Sequence, residues 1–170
     1  MDFRALEYMV QQVLQVAGRA GRAEKPGEVY IQTLYPEREV FACVRQHDYM
    51  AFAEMELENR MEAEQPPFFH YSLLRANSPK EGKEIEFLAQ AHACAVRLMK
   101  SHRFKEIQVF DIVQSPIRTI SNRHRAQLLC GSSLPSKLRQ FLNEWMMQLE
   151  QIPKKGDLRW RLDVDPISFI

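Results

Sequence analysis

Residues 66–99 read PPFFHYSLLRANSPKEGKEIEFLAQAHACAVRLM and decide the fold of the region that follows them. The Pro66-Pro67 pair breaks a preceding helix and is the clearest domain boundary in the sequence. Phe68 to Ala76 has the length and the composition of a β-strand. Ser78-Pro79-Lys80-Glu81 combines an N-cap serine, a first-turn proline and a glutamate three residues on, so it predicts the start of a helix.

Downstream of this stretch the pattern supplies two more strands, a helix and a last strand. The strands are expected over Ile107 to Val113 and Arg123 to Cys130, and the helix over Pro135 to Gln151, where apolar residues recur every three or four positions. Leu158 to Val164 alternates apolar and charged residues, as in a strand with one buried face. The order β-α-β-β-α-β over residues 66–170 predicts a ferredoxin-like α+β domain.

The first 62 residues have a different organisation. A helix is expected over residues 2–17, a strand over Glu28 to Leu34, and a second helix from about Glu37 to Arg60. A lone strand needs neighbours to be stable. Either this strand joins the later sheet, or residues 1–62 are the tail of a domain whose other strands lie elsewhere.

Charge is distributed unevenly along the chain, although the net charge is only +1. Residues 37–64 hold eight acidic and three basic residues, whereas residues 97–161 hold thirteen basic and five acidic residues. A cationic region of this kind suits an anionic polymer, and contacts to about four phosphates would give a log-log salt slope near −3 on single strands. A merely soluble surface is the alternative interpretation. The predicted phosphate contacts are Arg118, Arg123, Arg125, Lys137 and Arg139.

Other kinds of site find little support in the sequence. The three cysteines stand far apart without CxxC spacing, and the five histidines are scattered singly, so no metal site is predicted. No apolar run reaches the roughly 18 residues that a membrane span requires. Unpaired cysteines without a preceding signal peptide indicate a reducing cytoplasm.

One octet carries recognisable chemistry, QVAGRAGR at residues 15–22. Arg19 and Arg22 each follow a glycine, Gly18 and Gly21, that lets the backbone come close to a ligand. Their guanidinium groups suit phosphate oxygens, and Gln15 can hydrogen-bond the same group. The alternative is a helix end at which the two arginines interact with the helix C-terminus.

The octet resembles the last motif of superfamily 2 helicases, in which two arginines reach from the second RecA-like lobe to a nucleotide on the first. More narrowly, the whole chain resembles the primosomal replication-restart helicases, the family of primosomal protein N′. The resemblance is colinear from end to end. It rests on Asp2-Phe3-Arg4-Ala5, the octet, Gly27-Glu28-Val29, Pro66-Pro67-Phe68, the strand Arg123 to Leu129, Arg159-Trp160 and Asp163-Val164-Asp165-Pro166-Ile167.

The resemblance implies a bacterial ATP-driven DNA helicase that recognises abandoned replication forks and assembles the primosome. Residues 1–62 would be the C-terminal end of the second RecA-like lobe, and residues 66–170 a ferredoxin-like DNA-binding domain. By the same analogy Arg19 and Arg22 act on the nucleotide, while Gln15, Gly18 and Gly21 line its site. Met1 directly precedes the matching Asp2-Phe3-Arg4-Ala5, as expected for a piece of a longer protein.

The implied partners are forked and single-stranded DNA, the acidic tail of single-stranded-DNA-binding protein, and primosome proteins. The chain has neither a GxxxxGK[ST] loop nor an acidic helicase box, so ATP and Mg²⁺ are expected only in the complete protein. The cysteine-rich zinc region of the family is also missing. The chain should therefore bind DNA and partners without hydrolysing ATP. The alternative from another class is a free-standing nucleic-acid or protein-binding adaptor without a motor.

Overall fold

A computed structural model describes residues 3–20, 28–100, 102–153 and 156–169 of the 170-residue chain. The chain divides into two compact units, Met1–Ala63 and Glu64–Ile170. In the described residues, no helix has both the length and the apolar character needed to cross a membrane.

The first unit is helical in its described residues. Its helices are α1 (Ala5–Ala20), α2 (Glu39–Gln46) and α3 (Tyr49–Glu62). The apolar stripe predicted for the first helix is present, because Val10 is fully buried against Val40, Val44 and Phe52. This small core fixes α1, which carries part of the octet.

The prediction of a single helix from Glu37 to Arg60 is wrong, because the helix is interrupted between α2 and α3. His47 adopts a left-handed conformation with φ 53° and donates its backbone N–H to α2 carbonyls. Asp48 then caps α3 by accepting a hydrogen bond from the Ala51 N–H at 2.9 Å. The adjacent C-cap and N-cap stop one helix and start the next.

The strand predicted over Glu28 to Leu34 is also wrong. These residues form no ladder with any described part of the chain. Their composition favours a strand, but backbone pairing needs a neighbour and none is present in the described residues. Tyr30 and Leu34 are consequently each 88% exposed.

The second unit is a four-stranded antiparallel sheet with two helices, and it confirms the predicted ferredoxin-like βαββαβ order. The strands lie side by side in the order β2-β3-β1-β4, so β3 separates the two strands that α4 connects. Its elements are β1 (His70–Ser78), α4 (Lys83–Met99), a 3₁₀ turn (His102–Phe104), β2 (Gln108–Ile120), β3 (Arg123–Ser132), α5 (Pro135–Gln151) and β4 (Arg159–Val164).

Both helices pack on one face of the sheet, and the hydrophobic core lies between them and the strands. Trp145 of α5 is fully buried there and donates its indole N–H to the Ala91 carbonyl of α4 at 3.0 Å. Because successive strand residues alternate between faces, Leu74 and Leu128 point into this core. Their neighbours Arg75 and Gln127 therefore lie on the face without helices, which we call the open face.

Several element boundaries differ from the sequence prediction. The first helix was expected over residues 2–17 and is Ala5–Ala20, and the strand expected over Phe68 to Ala76 is His70–Ser78. Ser78 does not cap a helix, because it still pairs with His124 in the sheet; α4 begins at Lys83, directly after Gly82 at φ 85°. Strand β2 does not end at Val113 but continues to Ile120, with two interruptions in its pairing to β3. By contrast, α5 has the predicted bounds.

Candidate nucleic-acid interface

The described part of the octet lies on the last turns of α1. Gln15, Gly18 and Arg19 are all exposed there, while Gly21 and Arg22 lie outside the described residues. No described carboxylate forms an ion pair with Arg19. A Cβ added to Gly18 would meet no atom within 4 Å, so the packing of the described chain does not require a glycine at this position.

A charged network ties α1 to α3. Glu7 accepts hydrogen bonds from Arg4 at 3.0 Å and from Arg60 at 3.1 Å, and Arg60 also bonds to Glu56 at 2.9 Å. The bond from Arg4, together with that from Arg60, lowers the pKa of Glu7 even though burial opposes the shift. The network thus ties the N-terminal end of α1 to α3 within the first unit.

The five predicted phosphate contacts form two groups, at opposite ends of the sheet. Arg118, Arg123 and Arg125 lie at the tip of the β2–β3 hairpin. Lys137 and Arg139 lie in the first turns of α5, which follows the other end of β3. Seven residues of β3, 126–132, follow Arg125 to the end of the strand and span about 23 Å at 3.3 Å per residue, so a single phosphate cannot contact both groups.

The hairpin tip borders a cavity of about 420 Å³ on the open face, which we call the arginine cavity. Ser121 and Asn122 have φ of 50° and 57°, the backbone of a two-residue type I′ turn, and this turn aligns Ile120 with Arg123. Four arginines line the cavity, namely Arg75 of β1, Arg123 and Arg125 of β3, and Arg161 of β4.

Two of these arginines are neutralised by neighbouring carboxylates. Arg75 pairs with Asp163, and Arg123 pairs with Asp157 at 2.6 Å. Arg123 also bonds twice to Asn77 and once to the Asp157 carbonyl, so four of its five N–H donors are engaged. Hydrogen bonds from Arg123 and then Arg159 hold the pKa of Asp157 below its ordinary value.

The other two arginines keep most of their positive charge available. Among the described residues, no carboxylate pairs with Arg125, and Arg161 lies 3.9 Å from Asp163, which already bonds to Arg75. Arg161 is directly opposite Arg75 in the β1–β4 ladder, and the single Asp163 carboxylate offsets this pair of like charges only in part. The cavity is therefore a net cationic site.

A buried serine adds an unused hydrogen-bonding group to the cavity. Between the pairs Gln114–Ala126 and Thr119–His124, residues 115–118 of β2 face a single residue of β3. This bulge turns Ser115 inward, where it lines the cavity at 3% exposure and where its Oγ has no hydrogen-bond partner among the described residues. A buried hydroxyl without a partner is costly.

Sequence reasoning missed Arg75 and Arg161. The alternation in β4 indicated that Arg161 lies on an exposed face, but only the register of β4 on β1 brings it beside Arg75. Such a register joins residues more than eighty positions apart and leaves no local trace in the sequence.

A second groove, of about 240 Å³, lies between α5 and β4. Leu138, Leu142 and Met146 of α5 give it an apolar wall, and Arg139 is its basic lining residue together with His70. Lys137 does not line it and instead donates to the Arg103 carbonyl at 3.5 Å. The described residues contain no cluster of three His, Cys, Asp or Glu side chains that could hold a metal ion.

Comparison with known proteins places the chain in a family. The family model described as the primosomal protein N C-terminal domain matches residues 61–167. The chain is similar to the replication restart protein PriA of Haemophilus influenzae, with 32% identity over 98% of the chain and 22% of that protein. It is also similar to the protein of the same name from Synechocystis sp., with 34% identity over 99% of the chain and 19% of that protein.

The chain thus spans about a fifth of the length of these curated relatives. Their shared name and the matched domain agree with each other. The chain belongs to the replication restart protein PriA family and corresponds to its C-terminal part.

Proposed function

We propose that this chain is the nucleic-acid-binding C-terminal part of an ATP-driven replication-restart DNA helicase, and that its arginine cavity binds a backbone phosphate. The observation that carries the proposal is the Arg125 guanidinium, which has no carboxylate partner among the described residues, beside Arg161, which shares the single Asp163 carboxylate with Arg75. Guanidinium forks and a hydroxyl are the donors that phosphate oxygens accept best. The exposed Arg118 at the hairpin tip extends the cationic surface.

The chain should bind both forked and single-stranded DNA, because both present the same backbone phosphates. In this proposal the chain works in the cytoplasm within a longer protein, where the motor supplies ATP and Mg²⁺ and primosome proteins assemble on the fork. The relatives, about five times longer than this chain, support that arrangement.

Among the described residues of the octet, Arg19 is the one that suits a nucleotide phosphate. It is exposed, lacks a carboxylate partner in the described chain, and follows a glycine that the local packing does not require. When ATP is bound by the rest of the protein, Arg19 would contribute positive charge toward its phosphates, with Gln15 and Gly18 alongside. Gly21 and Arg22 stay predictions from the sequence. The chain alone should show no ATP turnover.

The groove beside α5 favours a second partner, the acidic tail of single-stranded-DNA-binding protein. Its apolar wall suits a hydrophobic side chain, and the Arg139 guanidinium suits a carboxylate. Arg139 would then serve a protein partner and not DNA. Arg139→Gln is expected to weaken binding of an acidic peptide while DNA affinity changes little.

The test of the phosphate site is a binding titration with a fluorescein-labelled oligonucleotide. Arg125→Gln removes one uncompensated charge and is expected to raise the Kd for DNA about tenfold, the equivalent of one charge-assisted hydrogen bond. Arg45→Gln is the matched control, because Arg45 is an exposed arginine of the first unit and its loss changes net charge equally. Equal effects of the two substitutions would refute the site. ATP turnover by the purified chain would refute its dependence on a separate motor.

A further inference from the structure

The open face of the sheet carries a short cover made of residues 166–169, which we call the cover segment. The Arg75 guanidinium donates a hydrogen bond to the Ser168 carbonyl at 2.9 Å. The Gln127 side-chain amide donates one to the Phe169 carbonyl, also at 2.9 Å. Side chains of the two central strands thus hold the backbone of the cover segment.

Beneath this cover lies an aromatic surface. The Phe169 ring meets the Tyr71 ring edge-on, with centroids 5.4 Å apart at 87°. Tyr71 in turn lies 6.2 Å from the ring of Phe110, which is 37% exposed. The central strand β1 and the edge strand β2 therefore present neighbouring rings, and one of them is covered by a ring from the cover segment.

The aromatic surface is adjacent to the arginine cavity. Tyr71 and Arg75 lie on the same face of β1, four residues or about 13 Å apart. A stacked strand of nucleic acid advances about 3.4 Å per nucleotide, so a few nucleotides reach from one to the other. Arg75 belongs to both features, because it lines the cavity and also holds the cover segment.

We propose that the open face is a base-stacking platform for single-stranded nucleic acid, and that the cover segment is displaced when the strand binds. The inference rests on the proposed phosphate site and extends it. The RNA-recognition motif, which is also built on a four-stranded sheet, stacks two or three bases on aromatic residues of that sheet. Here the corresponding rings are Tyr71 on the central strand β1 and Phe110 on the edge strand β2. Aromatic side chains stack with any base, and flanking arginines supply the phosphate contacts.

Displacement exchanges the contacts of the cover segment to Tyr71, Arg75 and Gln127 for contacts to the nucleic-acid strand. A base replaces the Phe169 ring on Tyr71, and a phosphate oxygen replaces the Ser168 carbonyl as an acceptor for Arg75. Gln127 becomes free to bond to a base edge. The closed cover lowers the apparent affinity for a single strand, because only the open fraction of molecules can bind.

The experiment compares single-stranded oligo-dT of about 12 nucleotides with a duplex of the same length, by fluorescence anisotropy on the full 170-residue chain. Phe169→Ala weakens the cover and is expected to tighten single-strand binding about threefold to tenfold. Duplex binding should not change, because paired bases cannot stack on the sheet. Ile167→Ala is the control within the same segment, since this side chain is 67% exposed, and it should change neither affinity.

A second pair of variants tests stacking directly. Tyr71→Ala is expected to weaken single-strand binding by at least about fivefold and to abolish the gain from Phe169→Ala. Tyr71→Trp keeps an aromatic ring, and its added fluorescence should be quenched by oligo-dT beyond the change in the parent protein. Far-UV circular dichroism identifies any variant that is unfolded. If Tyr71→Ala is unfolded, the fluorescence response of Tyr71→Trp to oligo-dT still tests stacking.

The inference is overturned if Phe169→Ala fails to tighten single-strand binding, if it tightens duplex binding equally, or if the Tyr71→Trp emission does not respond. These outcomes differ from a failure of the phosphate site. If Arg125→Gln weakens DNA binding but Phe169→Ala has no effect, the phosphate site is supported and the stacking platform is refuted. If Arg125→Gln has no effect, the phosphate site itself is wrong.

Discussion

Replacing Arg123 by glutamine tests whether this arginine stabilises the fold, in contrast to Arg125, which is available to phosphate. The side chain of Arg123 is 17% exposed and makes two bonds to Asn77 as well as two to Asp157. We expect Arg123→Gln to lower the melting temperature of the second unit while reducing DNA affinity less than Arg125→Gln does.

The magnitude follows from the contacts that are lost. The Asp157 carboxylate is exposed, so its ion pair is counted as contributing nothing. The bonds to Asn77 and to the Asp157 carbonyl are partly shielded, and their joint loss costs about 2 kcal/mol. For a unit of this size, about 2 kcal/mol lowers the melting temperature by about 10 °C.

Both tryptophans of the chain, Trp145 and Trp160, belong to the second unit, so their fluorescence reports its unfolding selectively. Thermal melts of Arg123→Gln and Arg125→Gln would be compared with binding isotherms measured well below both transitions. The reasoning is refuted if Arg123→Gln melts like the parent protein and loses as much DNA affinity as Arg125→Gln.

Three further results are expected. Combining Arg125→Gln with Arg161→Gln should reduce the log-log salt slope of single-strand binding by about 1.4, the change expected when two phosphate contacts are lost. An unchanged slope in anisotropy titrations would contradict this assignment. Because the folded pKa of Glu7 is lowered, its stabilisation of the first unit is present above the unfolded pKa and is lost as pH falls through the folded pKa. Glu7→Gln should remove this acid dependence, as measured by amide hydrogen exchange of α1. If the dependence persisted, Glu7 would not be its source. Gly131→Ala would place a Cβ 2.4 Å from an aromatic ring and should destabilise the second unit by about 1–3 kcal/mol, whereas Gly18→Ala should not destabilise the chain; similar melting of the two variants would be inconsistent with this packing.

Local sequence patterns were sufficient for most of the second unit. The order of its elements and the bounds of α5 followed from periodicity and from Pro135 at the first helical turn. The start of α4 was misplaced, because Ser78 satisfies the rules for an N-cap and yet is held in the sheet by pairing with His124. Tertiary pairing overrides a local capping preference in such a case.

The first unit and the candidate site show the same limit. Residues 28–34 have the composition of a strand, but a strand exists only where another backbone pairs with it. In the same way, the sequence identified Arg123 and Arg125 as basic, but not that Asp157 and Asn77 occupy one of them and leave the other available. Such selective pairing depends on contacts between distant segments.

The bulge at residues 115–118 has a consequence for the behaviour of the second unit at high concentration. Strand β2 is an outer strand of the sheet, and a regular outer strand offers a row of unpaired backbone groups to any similar strand that approaches. The bulge and Pro116 interrupt that row, while the opposite outer strand β4 is short and carries Arg159 and Arg161. The irregularity that turns Ser115 inward therefore also guards this sheet against edge-to-edge fibre growth.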